Sequence, residues 1–200
     1  MIAIVDYGLG NIKNVINAFN YLGYETKLTD NTRDLNSAKA IILPGVGAFR
    51  DGIKNLQDKD LVEPLRANIK DGKPLLGICL GMQLLYENSF EDGDYEGLSV
   101  LSGNVEKLKG DLKIPHMGWN HLDFHRSDPI LKYIQPGDFA YFVHSYYCNG
   151  PKDDLVASCE YGIQVPSIVN QDNIYGIQFH PEKSSNTGLS ILKDFGEMIK

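Results

Sequence analysis

The chain has 200 residues, 42% of them hydrophobic, and a formal net charge of −7. That is enough apolar material for a sizeable core and the wrong sign for a nucleic-acid partner, whose phosphates need a basic face. No stretch approaches the roughly 20 apolar residues of a membrane span, so no membrane is expected, and the odd count of three cysteines (Cys79, Cys148, Cys159) argues for a reducing, cytoplasmic setting over a disulfide framework.

The N-terminal run Met1-Ile2-Ala3-Ile4-Val5 meets Asp6 with no basic leader and reads as a strand over 1–7, not a signal peptide. Residues 11–22 place Ile12, Val15, Ile16 and Phe19 at helical spacing, with Gly23 as the stop. Strands follow at 24–29 and 38–43, the latter ended by Pro44-Gly45, then a helix over 52–70, a strand at 74–78 and a helix at 80–87. Strands separated by helices imply an α/β fold of three layers, a mostly parallel sheet flanked by helices. From Gly97 onward the pattern changes to short β-type runs at 98–108, 112–114, 139–148, 155–161, 167–171 and 174–179, with Asp172-Asn173 as a hairpin turn and a closing helix at 187–200. The expectation is a single domain over 1–200 with an antiparallel β extension.

Three places carry chemistry. Gly77-Ile78-Cys79-Leu80-Gly81 lies between a strand and a helix, the setting of a nucleophile elbow, where the glycines are expected to supply unusual backbone angles. A free cysteine is usually a small buried hydrophobe. Cys148 and Cys159 fit that role, while the elbow favours Cys79 as nucleophile, its thiolate favoured by the helix start and a nearby imidazole. Gln178-Phe179-His180-Pro181-Glu182 ends the last strand-like run. His180 can exchange protons with the thiol and a leaving amine. Glu182, on the same side in an extended segment, can orient it as the third member of a triad. Pro44-Gly45-Val46-Gly47 follows a strand at the sheet edge where ligands bind. Its peptide N–H groups, at Val46 and Gly47, can stabilise an oxyanion together with Leu80 N–H. No Lys-Ser/Thr pair follows to make it a phosphate loop.

Together these elements resemble the class I, triad-type glutamine amidotransferases over essentially the whole chain, in the order oxyanion loop, cysteine elbow, His-Pro-Glu. Asp6-Tyr7-Gly8-Leu9-Gly10-Asn11 and Pro115-His116-Met117-Gly118-Trp119-Asn120 are similar to the branch that serves imidazole glycerol phosphate synthase in histidine biosynthesis. The resemblance implies that Cys79 attacks the carboxamide of L-glutamine, forming a glutamyl thioester and releasing ammonia, with no cofactor and no metal. Ammonia would pass to a separate cyclase subunit, a (β/α)₈ barrel, in a heterodimer. Family positions for glutamine binding map onto Gly45, Gly47, Gln83, Glu91, His144, Ser145 and Tyr146. The partner surface would include Asn11, Asn14, Met117, Trp119, Asn120 and Lys183, with Tyr141 near the ammonia exit. By their residue types alone, Gln83 reads equally as a solvated helix residue, Trp119 as a core anchor and His144 as a satisfied core histidine. Gly97-Leu98-Ser99 departs from the family's Gly-Leu-Gly. The alternatives are a glutaminase component of an anthranilate or pyridoxal phosphate synthase, or a catalytically silent partner-binding module. The intact Cys79, His180 and Glu182 argue against the silent module.

Overall fold

The computed structural model describes residues 1–110 and 112–199, so the expected helix at 187–200 reaches, at Lys200, outside the described residues. The first half runs β1 (Ile2–Val5), α1 (Ile12–Tyr21), β2 (Thr26–Thr29), α2 (Thr32–Ser37), β3 (Ala40–Gly45), α3 (Phe49–Asp58), α4 (Val62–Lys70), β4 (Leu75–Cys79) and the single turn α5 (Leu80–Gln83). The second half continues with β5 (Asn88–Ser89), β6 (Tyr95–Glu96), β7 (Asn104–Lys107), β8 (His116–His121), β9 (Asp123–Phe124), β10 (Phe139–His144), β11 (Tyr146–Asn149), β12 (Leu155–Glu160), β13 (Gln164–Gln171), β14 (Ile174–Ile177) and α6 (Ser185–Met198).

One eight-stranded sheet has the order β2-β1-β3-β4-β14-β13-β12-β9. Its first five strands are mutually parallel, and β13, β12 and β9 extend it antiparallel, the expected α/β architecture. Strands β1, β3 and β4 are buried at every position, which is why they read as unbroken apolar runs. Their residues alternate between two cores, as the period-2 pleat requires. Ile2, Ile4, Ile42, Leu76 and Ile78 pack with Phe19 of α1 and Phe195 of α6. Ala3, Val5, Ile41, Leu43 and Leu75 pack with Phe49, Leu56 and Leu65 of α3 and α4. Each fully buried Leu, Ile or Phe contributes roughly 1.5–3 kcal/mol. Among the described residues no helix is long and apolar enough to cross a membrane.

Several elements differ from expectation. The helix expected over 52–70 is two helices, with Asp60 at φ 54 between them. Pro64 has no N–H to give Asp60, and its ring would clash with that carbonyl in a continuous helix. The short α2, capped by the Asn31 side chain on Arg33 N–H at 2.8 Å, was not expected, because with Leu35 as its one buried residue it shows no periodicity. The helix expected at 80–87 stops after Gln83: Leu85 and Tyr86 N–H groups reach back only three residues, to Met82 and Gln83, and the carbonyls of Leu84 to Glu87 bond N–H groups of residues 97–100. Residues 112–114 form no strand, and β8 follows them instead. Of the run at 98–108 only β7 is strand, and the run at 139–148 divides at Ser145 because β10 pairs with β8 and β11 with β7. Strand β3 continues through Pro44-Gly45, pairing Gly45 with Cys79.

The neighbouring, parallel strands β3, β4 and β14 end at one edge of the sheet, so Gly45, Cys79 and the chain just before His180 emerge together. That edge is where ligands bind in open α/β sheets.

Candidate active site

Cys79 ends β4 and starts α5 with φ 54 and ψ −111, a conformation costing about 1–3 kcal/mol that a reactive turn characteristically stores. The strain sits on the cysteine itself. Gly77 and Gly81 do not take positive φ, contrary to the expectation that the glycines supply unusual angles. They are needed for space: a Cβ on Gly81 would lie 1.7 Å from the Leu43 carbonyl oxygen, and one on Gly77 2.7 Å from that of Gly81.

The structure brings Cys79, His180 and Glu182 together. His180 Nδ1 lies 2.9 Å from Glu182 Oε1, both side chains almost wholly buried, and Cys79 lines the same cavity as His180, close enough to act on its ring electrostatically. The pair is made by a turn, not by the extended segment expected: Lys183 N–H bonds the His180 carbonyl, and the Ser184 hydroxyl donates to that carbonyl at 2.6 Å. Burial alone would depress the imidazole, but Cys79 and Glu182 outweigh it and raise His180 above its ordinary value. Burial would likewise lift Glu182, yet hydrogen bonds from His180 and from Asn11 Nδ2 at 3.0 Å hold its carboxyl below the usual range. Charge-assisted bonds of this kind are roughly twice as strong as neutral ones.

Cys79 and His180 line a cavity of about 330 Å³ shared with Val46, Gly47, Leu80, Gln83, Glu91, His144, Ser145 and Tyr146. Cys148 and Cys159 are fully buried elsewhere. Burial pushes the Cys148 thiol well up and that of Cys159 to about 12, so both are inert core residues. Gln83 is buried, not solvated. Its Nε2 donates to the Tyr146 carbonyl and to Gln178 Oε1, each at 3.1 Å, which leaves its Oε1 as an acceptor for the cavity. His144 Nδ1 must donate to the Tyr146 carbonyl at 2.8 Å, so its Nε2 accepts from His116 Nδ1 at 3.0 Å. Burial drives His144 down to about 3 and His116 to about 4, keeping this chain of rings neutral.

Gly47 adopts φ +102 with nothing near its missing Cβ, so backbone conformation alone requires glycine there. Val46 is partly exposed at the cavity mouth, and Leu80, the first residue of α5, has an N–H that its own helix does not bond. Glu91 lines the cavity but also accepts from Phe49 N–H at the start of α3, at 2.6 Å; burial raises its carboxyl. Ser99 stands at φ 51, the left-handed conformation that the expected glycine would adopt without cost.

The partner-surface candidates fall into two groups. Asn14, Met117, Trp119 and Lys183 are exposed, and Trp119 at 53% exposure is no core anchor; its ring lies 5.9 Å from that of half-buried Tyr141. Asn11 spends its amide on Glu182, and Asn120 spends its own on the Glu160 carbonyl at 2.9 Å. Sequence reasoning missed Gln178 and Tyr7. Gln178 is fully buried with Nε2 3.9 Å from Cys79 Sγ, and a polar side chain inside an otherwise apolar strand-like run was the available signal.

The family model for glutamine amidotransferase class-I matches residues 3–198. The chain is 52% identical to imidazole glycerol phosphate synthase subunit HisH of Caldanaerobacter subterraneus subsp. tengcongensis, covering 100% of this chain and 99% of that one. It is 50% identical to the protein of the same description from Lactiplantibacillus plantarum, covering 100% and 96%. Among solved structures, PurLQS from Thermotoga maritima superposes with a TM-score of 0.78 at 18% identity, over 100% of this chain and 98% of that one.

Proposed function

The chain belongs to the class I glutamine amidotransferase family, and from that premise we propose that it is the glutaminase subunit of an imidazole glycerol phosphate synthase, with Cys79, His180 and Glu182 as its catalytic triad. The observation that carries the chemistry is the buried His180–Glu182 pair at 2.9 Å beside Cys79 at the cavity edge.

Glutamine lies in the cavity with its carboxamide over Cys79. Gln83 Oε1 and the Glu91 carboxylate are acceptors for the substrate's ammonium group. Sγ attacks the carboxamide carbon, and the oxyanion is met by peptide N–H groups of the Val46–Gly47 segment and of Leu80. One such donor is worth about 3–4 kcal/mol. The raised imidazole carries the proton the departing amine needs, so the C–N bond breaks, ammonia leaves and a glutamyl thioester remains. His180 then takes a proton from water, which attacks the thioester to give glutamate and restore the thiol. Asn11 and Glu182 hold the ring in the required tautomer throughout.

The partner is a cyclase subunit with a (β/α)₈ barrel. It docks on the β8–β10 ribbon, where Met117, Trp119 and Phe139 are exposed, and on neighbouring Asn14 and Lys183; exposed aromatic residues and methionine suit such a surface. Ammonia leaves past Tyr141. The chain acts as one unit over 1–200 in the cytoplasm, in keeping with three free thiols.

Mixing the chain with a candidate cyclase subunit and following glutamate release tests the assignment. The lone chain is expected to be nearly inactive and to gain at least about tenfold on partner binding, more with the acceptor's ligand bound, because the peptide at Val46 must turn to aim its N–H. Full activity in the lone chain, or no response to the partner, would contradict it.

A further inference from the structure

The proposed chemistry gives no part to Tyr7, yet Tyr7 is among the most deeply buried polar-tipped residues of the molecule, at 1% exposure. Its hydroxyl donates to the Pro44 carbonyl at 2.6 Å, across 37 residues of sequence. Pro44 is the last residue before Gly45-Val46-Gly47. A Cβ built on Gly45 would lie 2.4 Å from the Tyr7 oxygen, so glycine at 45 leaves the space that the hydroxyl fills. The loop after Tyr7 also passes close to Pro44, leaving little room for a side chain: a Cβ on Gly10 would meet the Pro44 ring at 3.3 Å.

A peptide plane is rigid, so fixing the Pro44 carbonyl fixes the Gly45 N–H in the same plane. It thereby sets the direction from which the chain enters Val46 and Gly47. We propose that Tyr7 is a positioning residue for the oxyanion site: its hydroxyl anchors the Pro44–Gly45 peptide so that the following N–H groups can meet the developing charge. The inference rests on the catalytic reading above. Tyr7 touches neither substrate nor reacting atoms in this role. Burial, with a smaller contribution from Cys79, pushes its phenol far up, so it stays a neutral donor at every pH where the protein works. The bond ties the chain just after β1 to the end of β3, its neighbour in the sheet, a rigid base for a loop that must aim a donor.

The test is Tyr7→Phe, which removes one oxygen and keeps the ring in its core site, assayed in the partner complex. Deleting an oxyanion donor costs about 10²–10³ in kcat. Misaiming one is expected to lower kcat for glutamine hydrolysis by about ten- to a hundredfold, with KM for glutamine and affinity for the partner within about twofold. Alkylation of Cys79 by iodoacetamide, which uses no oxyanion site, is expected to proceed at the parental rate. A merely structural role would not separate kcat from KM in this way. Should Tyr7→Phe fold poorly, 3-fluorotyrosine at position 7 keeps the hydroxyl and can place its fluorine at either ortho position; it is expected to hold kcat within about threefold of the parent. An unchanged or raised kcat in Tyr7→Phe, or a fluorotyrosine protein with kcat lowered tenfold or more, would overturn the proposal. Cys79→Ala run beside it separates the two readings. If that variant still hydrolyses glutamine, the catalytic assignment fails; if it is dead and Tyr7→Phe is unimpaired, the positioning role alone fails.

Discussion

Cys79→Ala is expected to lower glutamine hydrolysis in the partner complex by at least about 10⁴-fold, while synthesis fed with free ammonia proceeds at the parental rate. The first half of this expectation rests on the lack of a substitute. Cys148 and Cys159 are fully buried, and burial raises both thiols, so neither can reach a substrate in the cavity. The second half follows from the division of labour, since ammonia made elsewhere bypasses this chain's chemistry. Alanine is also a mild change at the site. Cys79 is packed in the core between strand and helix, and losing one sulfur there leaves the elbow's glycines and their close contacts in place. The expected loss, near 5 kcal/mol at 1.36 kcal/mol per tenfold, far exceeds what a small repacking can do. Glutamate release assayed beside ammonia-dependent synthesis reads both halves.

His180→Gln is the second large effect, expected to match the first within about tenfold. The imidazole serves twice, giving a proton to the departing amine and taking one from water, and a carboxamide does neither. Residues that act as a unit are strongly non-additive, so Cys79→Ala combined with His180→Gln is expected to be no slower than either alone. Steady-state glutamate release by the three proteins checks this. A loss of less than about a hundredfold in His180→Gln would place proton transfer on another group, and the neutral His144–His116 chain would be the first to consider.

The parallel half of the fold was legible because β1, β3 and β4 are covered on both faces and read as unbroken apolar runs. The elbow was legible for a related reason: glycines four apart around Cys79 sit where strand and helix press together. What the sequence did not reveal was set by contacts distant along the chain. After one turn of helix beyond Cys79 the chain leaves to bond residues 84–87 with residues 97–100, a pairing that no local propensity encodes. The split at Ser145 reflects two different strand partners. Pro64, by contrast, was a readable breaker inside the expected 52–70 helix. In the site, the residue types of the Cys79–His180–Glu182 group were visible, but the turn that joins His180 to Glu182 was not. The roles of Asn11 on Glu182, Gln178 beside Cys79 and Tyr7 on Pro44 depend on distances across 171, 99 and 37 residues. Only Gln178, a polar residue in an apolar run, carried a local signal; the neighbours of Asn11 and Tyr7 along the sequence announce nothing.

The central claim is that one sulfur, Cys79, forms the bond to glutamine's carboxamide carbon. A diazoketone analogue of glutamine, incubated with the partner complex and followed by peptide mass mapping, tests it most directly. The expected result is loss of glutaminase activity in step with an adduct on the peptide carrying Cys79. Complete inactivation with Cys79 unmodified, the adduct lying on another side chain of this chain, would contradict it.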